Sequence, residues 1–220
     1  MKTLTQAPLA PLLDRLFAEA DETWPTLVAA GNISEEERVR LMRSKTDYLE
    51  FYTRLKDFPL AVSRETGTLL YMLARSCTAR TIVEFGTSFG LSTLHLAAAL
   101  RDNGGGRLIT SEFEPSKVLR ARNNLALGGL LDLVDIREGD ALQTLSVDLP
   151  ESIDLVLLDG AKALYPEILG LLQSRLRPGA LIIADNADHS PEYLARVRNP
   201  AEGYLSTPFA EDVELSMWQG

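Results

Sequence analysis

Cysteine is almost missing from this sequence: Cys77 is the single thiol in 220 residues, accompanied by two histidines. One thiol forms no internal disulfide, and so few Cys and His residues cannot assemble a structural zinc framework, so a reducing compartment and a cytoplasmic location are expected. Basic residues are in the minority, 22 Lys and Arg against 31 Asp and Glu, giving a net charge of -9 and a pI near 4.8. Phosphate binding needs clustered cations, so no nucleic-acid partner is expected. Long apolar runs are lacking too. Pro8, Pro11, Asp14 and Arg15 interrupt the first candidate stretch, so neither a leader peptide nor a membrane span is expected. Internal repeats and low-complexity tracts are absent from the sequence.

What remains is a chain, 45% hydrophobic, long enough for one sizeable core and too short for two full domains. A single domain over 1–220 is expected, with N-terminal helices in 1–60 and a core in 61–220. Apolar residues recur at helical spacing from Pro11 to Ala30 and from Ser34 to Leu55, where Ser34 reads as an N-cap ahead of Glu35 to Glu37. A further helix is expected over Ser63 to Arg75, then a β-branched strand over Thr81 to Phe85 that ends at a glycine. Strands Arg107 to Ser111, Asp132 to Arg137, Ile153 to Leu158 and Ala180 to Ala184 follow, with helices Ser116 to Leu127 and Pro166 to Leu176 between them. Several of these strands are apolar on both faces. The pattern predicts an α/β fold, a doubly wound, mostly parallel, seven-stranded sheet of Rossmann-like kind. A short helix, Pro191 to Arg196, and strands Tyr204 to Ser206 and Val213 to Trp218 read as an antiparallel ending.

The segment Glu84-Phe85-Gly86-Thr87-Ser88-Phe89-Gly90 leaves a strand and opens a helix, so backbone amides and a helix N-terminus can face a nucleotide-like ligand. Three residues separate Gly86 from Gly90 where the dinucleotide fingerprint has one between its first two glycines, which weakens a nicotinamide dehydrogenase reading. Glu112 ends the second strand, where a carboxylate can accept from both hydroxyls of an unphosphorylated ribose. Gly139-Asp140-Ala141 follows the third strand on the same edge, and Asp140 or a neighbouring amide can meet an adenine amine. Each piece also has a plain explanation as a turn or a cap. Their joint order on the right elements favours function.

The order Val83-Glu84-Phe85-Gly86, Glu112, Gly139-Asp140-Ala141, Leu158-Asp159-Gly160-Ala161-Lys162 and Ala184-Asp185-Asn186 resembles the catechol O-methyltransferase-like family, which includes the caffeoyl-CoA O-methyltransferases. The likeness runs from about Val62 to the C-terminus and is most specific in its last two motifs. It implies S-adenosylmethionine as cofactor, held by Val62, Glu84, Gly86, Ser88, Ser92, Glu112, Asp140, Ala141 and Asp159. It further implies a divalent cation, Mg2+, on Asp159, Asp185 and Asn186, with Lys162 as the general base. Hard oxygen donors suit magnesium and leave coordination positions for substrate oxygens. A depressed pKa is expected for Lys162 beside that cation.

The implied activity is methylation of a hydroxyl on a small molecule with chelating oxygens, such as a catechol. Two alternatives stay open: a metal-independent small-molecule N- or O-methyltransferase, and a non-catalytic module that retains S-adenosylmethionine. The connection Thr207 to Asp212 is shorter than the family's. Acceptor recognition is therefore expected around Tyr48, Tyr52 and Phe58, within the chain or from a homodimer partner. His95 is expected to be packed, His189 to be a loop residue without catalytic duty, Cys77 to be inert, and Trp24 and Trp218 to be core or interface anchors.

Overall fold

A computed structural model describes residues 2–30, 34–209 and 212–220, with the backbone alone described for 24–30 and 35. The side chain of Trp24 lies outside the described residues. The chain opens with helices α1 (Leu9–Ala30), α2 (Glu35–Met42), α3 (Tyr48–Arg54) and α4 (Arg64–Ser76). Ser34 caps α2 by accepting from the Glu37 amide at 3.1 Å, and Ser63 caps α4 by accepting from Thr66 at 3.0 Å. The single helix expected over Ser34 to Leu55 is divided in two. Ser44 Oγ accepts from the amides of Thr46 and Asp47, offering the backbone an alternative to the helical ladder.

The remaining elements alternate: β1 (Thr81–Phe85), α5 (Leu91–Asp102), β2 (Arg107–Glu112), α6 (Pro115–Leu127), β3 (Val134–Glu138), α7 (Ala141–Thr144), β4 (Ile153–Leu158), α8 (Tyr165–Gln173), β5 (Leu176–Ala184), α9 (Pro191–Val197), β6 (Tyr204–Phe209) and β7 (Val213–Trp218). They build one seven-stranded sheet of order β3-β2-β1-β4-β5-β7-β6. The first five strands in that order run parallel; β7 is antiparallel to β5, and β6 to β7. This is the doubly wound sheet expected. β3 begins later than expected because Leu131–Leu133 forms a 3-10 turn. β5 begins earlier, at Leu176, with a register shift against β4 that accommodates Pro178 and Gly179.

Alternate strand residues feed two cores. Ile82, Leu108, Leu155 and Leu157 join α1, α4, α5 and α6 on one face; Val83, Ile109, Val156 and Leu158 join α8 and α9 on the other. Leu9, Leu12, Leu16 and Phe17 place α1 inside the first core. There Phe17 meets the buried His95 ring edge-on at 5.9 Å, while His95 Nδ1 lies 2.8 Å from the Leu91 carbonyl. Leu41, Met42 and Phe51 form a small separate cluster between α2 and α3. Lys45 ties this pair to the sheet layer through Glu167 and Glu192, at 2.7 and 3.0 Å. Among the described residues no helix is long and apolar enough to cross a membrane.

Candidate functional site

The strand order reverses direction between β1 and β4, and an open α/β sheet presents its binding crevice at the carboxyl ends of such strands. An open cleft lies there, lined by the ends of β1, β2, β3 and β4. Ladder bonds continue past the strand ends and fix its floor: Asp159 N donates to Phe85 O (2.8 Å), Asp185 N to Leu158 O (2.9 Å), and Gly139 N to Glu112 O (2.9 Å). Gly86 has φ +100, and a Cβ there would sit 2.6 Å from the Asp159 carbonyl oxygen. Only glycine fits that approach.

Glu112 is buried at the end of β2, its Oε2 accepting from Ser88 N at 2.9 Å and its Oε1 from Glu114 N at 3.0 Å. Each oxygen keeps a lone pair for a ligand. Gly86, Ser88, Glu112, Asp140, Ala141 and Asp159 all border the cleft. The Asp140 carboxylate caps α7, with Oδ1 accepting from Leu142 N at 2.9 Å. Val62, Ser88 and Ser92 meet at a smaller neighbouring pocket.

Glu84 is placed differently from expectation. Its side chain is fully buried and accepts from Ser92 Oγ and Thr93 Oγ1, both at 2.6 Å, so it braces the first turn of α5 rather than bordering the cleft. Burial pushes its carboxyl up to about 7, against hydrogen bonds from Ser92, Thr93 and Thr110 that pull the other way. The Ser92 hydroxyl proton is thereby spent on Glu84, which leaves the helix amides to face a ligand.

Asp159 joins the cleft to a second group at the β4 and β5 exits. Lys162 Nζ lies 2.9 Å from Asp159 Oδ1, and both side chains are largely closed to solvent. Burial, followed by the like charge of Asp159, pushes the Asp185 carboxyl up to about 8. Asn186 stands beside it in the left-handed region (φ 48), its Nδ2 donating to Asp212 Oδ2 at 3.1 Å, so its amide oxygen is free to coordinate. Two crowded carboxylates and one amide oxygen make a hard donor set short of positive charge, and these residues fit a divalent cation. Among the described residues no group of three or more His, Cys, Asp or Glu is placed to hold a metal ion.

The depressed pKa expected for Lys162 is not found in the protein alone. Burial acts to lower it, but Tyr165, Asp159 and Asp185 together outweigh burial and hold the ammonium well above the usual lysine value. The Tyr165 hydroxyl, which sequence reasoning missed, donates to the Asp185 carbonyl at 2.8 Å. Tyr48 and Tyr52 border the cleft from α3 of the same chain, whereas Phe58 stands outside it. His189 lies behind the site on a short 3-10 turn, Nε2 at 3.7 Å from Asp188. Cys77 is half-buried at the end of α4, and burial raises its thiol pKa. Trp218 packs on Tyr204 with ring centroids 4.9 Å apart.

Residues 83–187 match a family described as a methyltransferase domain. A catechol O-methyltransferase of Niastella koreensis is 38% identical over 130 residues, 58% of each chain. Catechol O-methyltransferase B of Danio rerio is 32% identical over 176 residues, 76% of this chain and 66% of that one. The crystal structure of the O-methyltransferase TomG from Streptomyces achromogenes in complex with SAM superposes with a TM-score of 0.65. It shares 28% identity, with 92% of this chain and 99% of that one covered. The chain belongs to the catechol O-methyltransferase-like family. It spans about three-fifths to two-thirds of the length of these two curated relatives. In this catechol O-methyltransferase-like chain, the cleft and the acidic group share Asp159.

Proposed function

We propose that this chain is an S-adenosylmethionine-dependent O-methyltransferase acting on a hydroxyl of a small molecule, such as a catechol or related phenol, with a divalent cation, Mg2+, as helper. The observation that carries the reading is the sharing of Asp159 between two groups. On one side it borders the cleft that holds Glu112; on the other it pairs with Lys162 beside Asp185.

Glu112 accepts from the ribose hydroxyls, Gly86 admits the cofactor backbone, and the amides opening α5 face the methionine end. Glu112, Glu114, Asp140 and Asp159 around the cleft favour a ligand carrying a sulfonium over one carrying a pyrophosphate. Asp159, Asp185 and Asn186 would hold the cation, which would lower the pKa of a substrate hydroxyl. Engagement of Asp159 and Asp185 by a cation would remove two of the influences that, with Tyr165, hold Lys162 protonated, and would strengthen the push of burial toward the neutral amine. Lys162 Nζ then takes the hydroxyl proton. The hydroxyl oxygen attacks the methyl carbon as the carbon–sulfur bond breaks, giving a methyl ether and S-adenosylhomocysteine. In-line positioning supplies much of the rate. Tyr48 and Tyr52 form the wall on the acceptor side.

Calorimetric titration tests the cofactor half of this proposal. Binding of S-adenosylmethionine and S-adenosylhomocysteine by the wild type, and weak binding by Glu112→Gln, are expected. Wild-type protein that binds neither nucleoside contradicts the reading.

A further inference from the structure

Lys117 sits in the first turn of α6, on the face that carries Val118, Ala121, Asn124 and Leu125 into the core. It is 4% exposed, yet it borders the cleft. Its Nζ lies 3.4 Å from Ser88 Oγ and 5.9 Å from the centroid of the Phe89 ring. No carboxylate among the described residues lies within ion-pair distance of it, although Glu112 and Glu114 act on it from farther off against the burial that lowers its pKa. A buried ammonium has three N–H groups to satisfy, and Ser88 takes one. Leaving the others empty in a desolvated site is costly. An acceptor on a bound ligand resolves that cost.

Ser88 fixes where the ligand acceptor must be. Its amide donates to Glu112 Oε2 at 2.9 Å, and its Oγ accepts from Leu60 N at 3.2 Å as well as facing Lys117. One residue thus bridges the Glu112 carboxylate and the Lys117 ammonium across the rim of the cleft. A ligand hydroxyl that donates its proton to Glu112 presents its lone pairs to the opposite side, where an N–H donor is needed.

We infer that Lys117 is a second ribose-reading residue, donating from Nζ to the oxygen of a ribose hydroxyl whose proton Glu112 accepts. This rests on the proposed cofactor. Acceptor and donor then read the same hydroxyl in both directions, and the buried lysine gains a second partner beside Ser88.

Titration of S-adenosylhomocysteine and its 2′-deoxy and 3′-deoxy analogues into wild type, Lys117→Met and Lys117→Gln tests the inference. Lys117→Met is expected to weaken S-adenosylhomocysteine binding by roughly tenfold, the scale of one charge-assisted hydrogen bond. Against the analogue that lacks the hydroxyl concerned, the same substitution is expected to cost less than about threefold, because the partner is already gone. Lys117→Gln, which keeps an N–H donor, is expected to fall between. Equal losses against all three ligands would show that Lys117 acts only through the Ser88 loop and overturn the inference, as would no loss at all. Absence of S-adenosylhomocysteine binding by the wild type would instead sink the cofactor reading on which it rests. A melting curve for each variant, with the shift on saturation by S-adenosylhomocysteine, separates lost contact from lost folding.

Discussion

Lys162 Nζ sits 2.9 Å from Asp159 Oδ1 inside the protein, with side-chain exposures of 5% and 12%. An ion pair so enclosed is a weak source of stability, since desolvation offsets most of the Coulomb gain. Its value is in placing an amine beside the carboxylates at the cleft. Lys162→Met is therefore expected to lower kcat by about 10²- to 10⁴-fold, the usual scale of general-base catalysis. The dissociation constant of S-adenosylhomocysteine should change little. Steady-state kinetics and calorimetry on the same preparation check both halves.

Asp185 couples function to stability. Its carboxyl is raised from the ordinary 3.8 to about 8 in the fold. Protonation therefore favours the folded state, and stability present at low pH is lost as pH rises toward 8. Without added metal, Asp185→Asn is expected to be more stable than wild type at pH 8, by on the order of 1–3 kcal/mol. Added Mg2+ should raise the melting temperature of the wild type and not that of the variant. Thermal melts with Mg2+ and with chelator check this.

Glu84 makes a similar prediction away from the cleft. With its carboxyl at about 7 instead of 4.5, the wild type loses stability as pH climbs through that interval. Glu84→Gln abolishes the ionisation, so the stability difference between variant and wild type is expected to shift toward the variant from pH 5 to pH 8. A change of about 3 kcal/mol is the upper bound from the pKa displacement. Urea unfolding at both pH values measures it.

Gly86→Ala combines a disfavoured φ of +100 with a Cβ 2.6 Å from the Asp159 carbonyl. A cost of about 1–3 kcal/mol in stability is expected, together with weaker binding of S-adenosylhomocysteine, because the loop must shift into the cleft or away from it. Urea unfolding and calorimetry report the two effects.

Tyr52 belongs to α3 and reaches the cleft from the same chain. Tyr52→Ala is expected to raise KM for a catechol by about tenfold, through loss of an apolar contact surface. Its effect on kcat and on cofactor affinity should stay within a few-fold. Kinetics at saturating cofactor provide the check.

Strand positions were legible because their signals are local. β1, β4 and β7 fall at the boundaries that their β-branched and apolar runs indicate. Legibility fails where a side chain competes with the backbone, as Ser44 does between α2 and α3, or where a bulge lengthens a strand, as Pro178 and Gly179 do in β5. The site positions were easy to locate because Gly86, Asp140 and Asp159 follow strands and Glu112 ends one. The position of the Glu84 carboxyl was not legible, because alternation along β1 decides which side of the sheet it enters, and the hydroxyls of Ser92 and Thr93 receive it there. The Lys162 proton affinity depends on Asp185, from another strand, which no sequence window contains. Lys117 left a signal that went unread, a charged residue at a helical position that periodicity assigns to the buried face of α6.

Transfer of labelled methyl from S-adenosylmethionine to a catechol, with Mg2+ and with chelator, for wild type and Asp185→Ala, tests the central claim most directly. The account predicts a methyl ether from the wild type with Mg2+, and almost none with chelator or from the variant. Equal turnover by the wild type under both conditions, undiminished in Asp185→Ala, would contradict the assignment of Asp159, Asp185 and Asn186 to a catalytic cation.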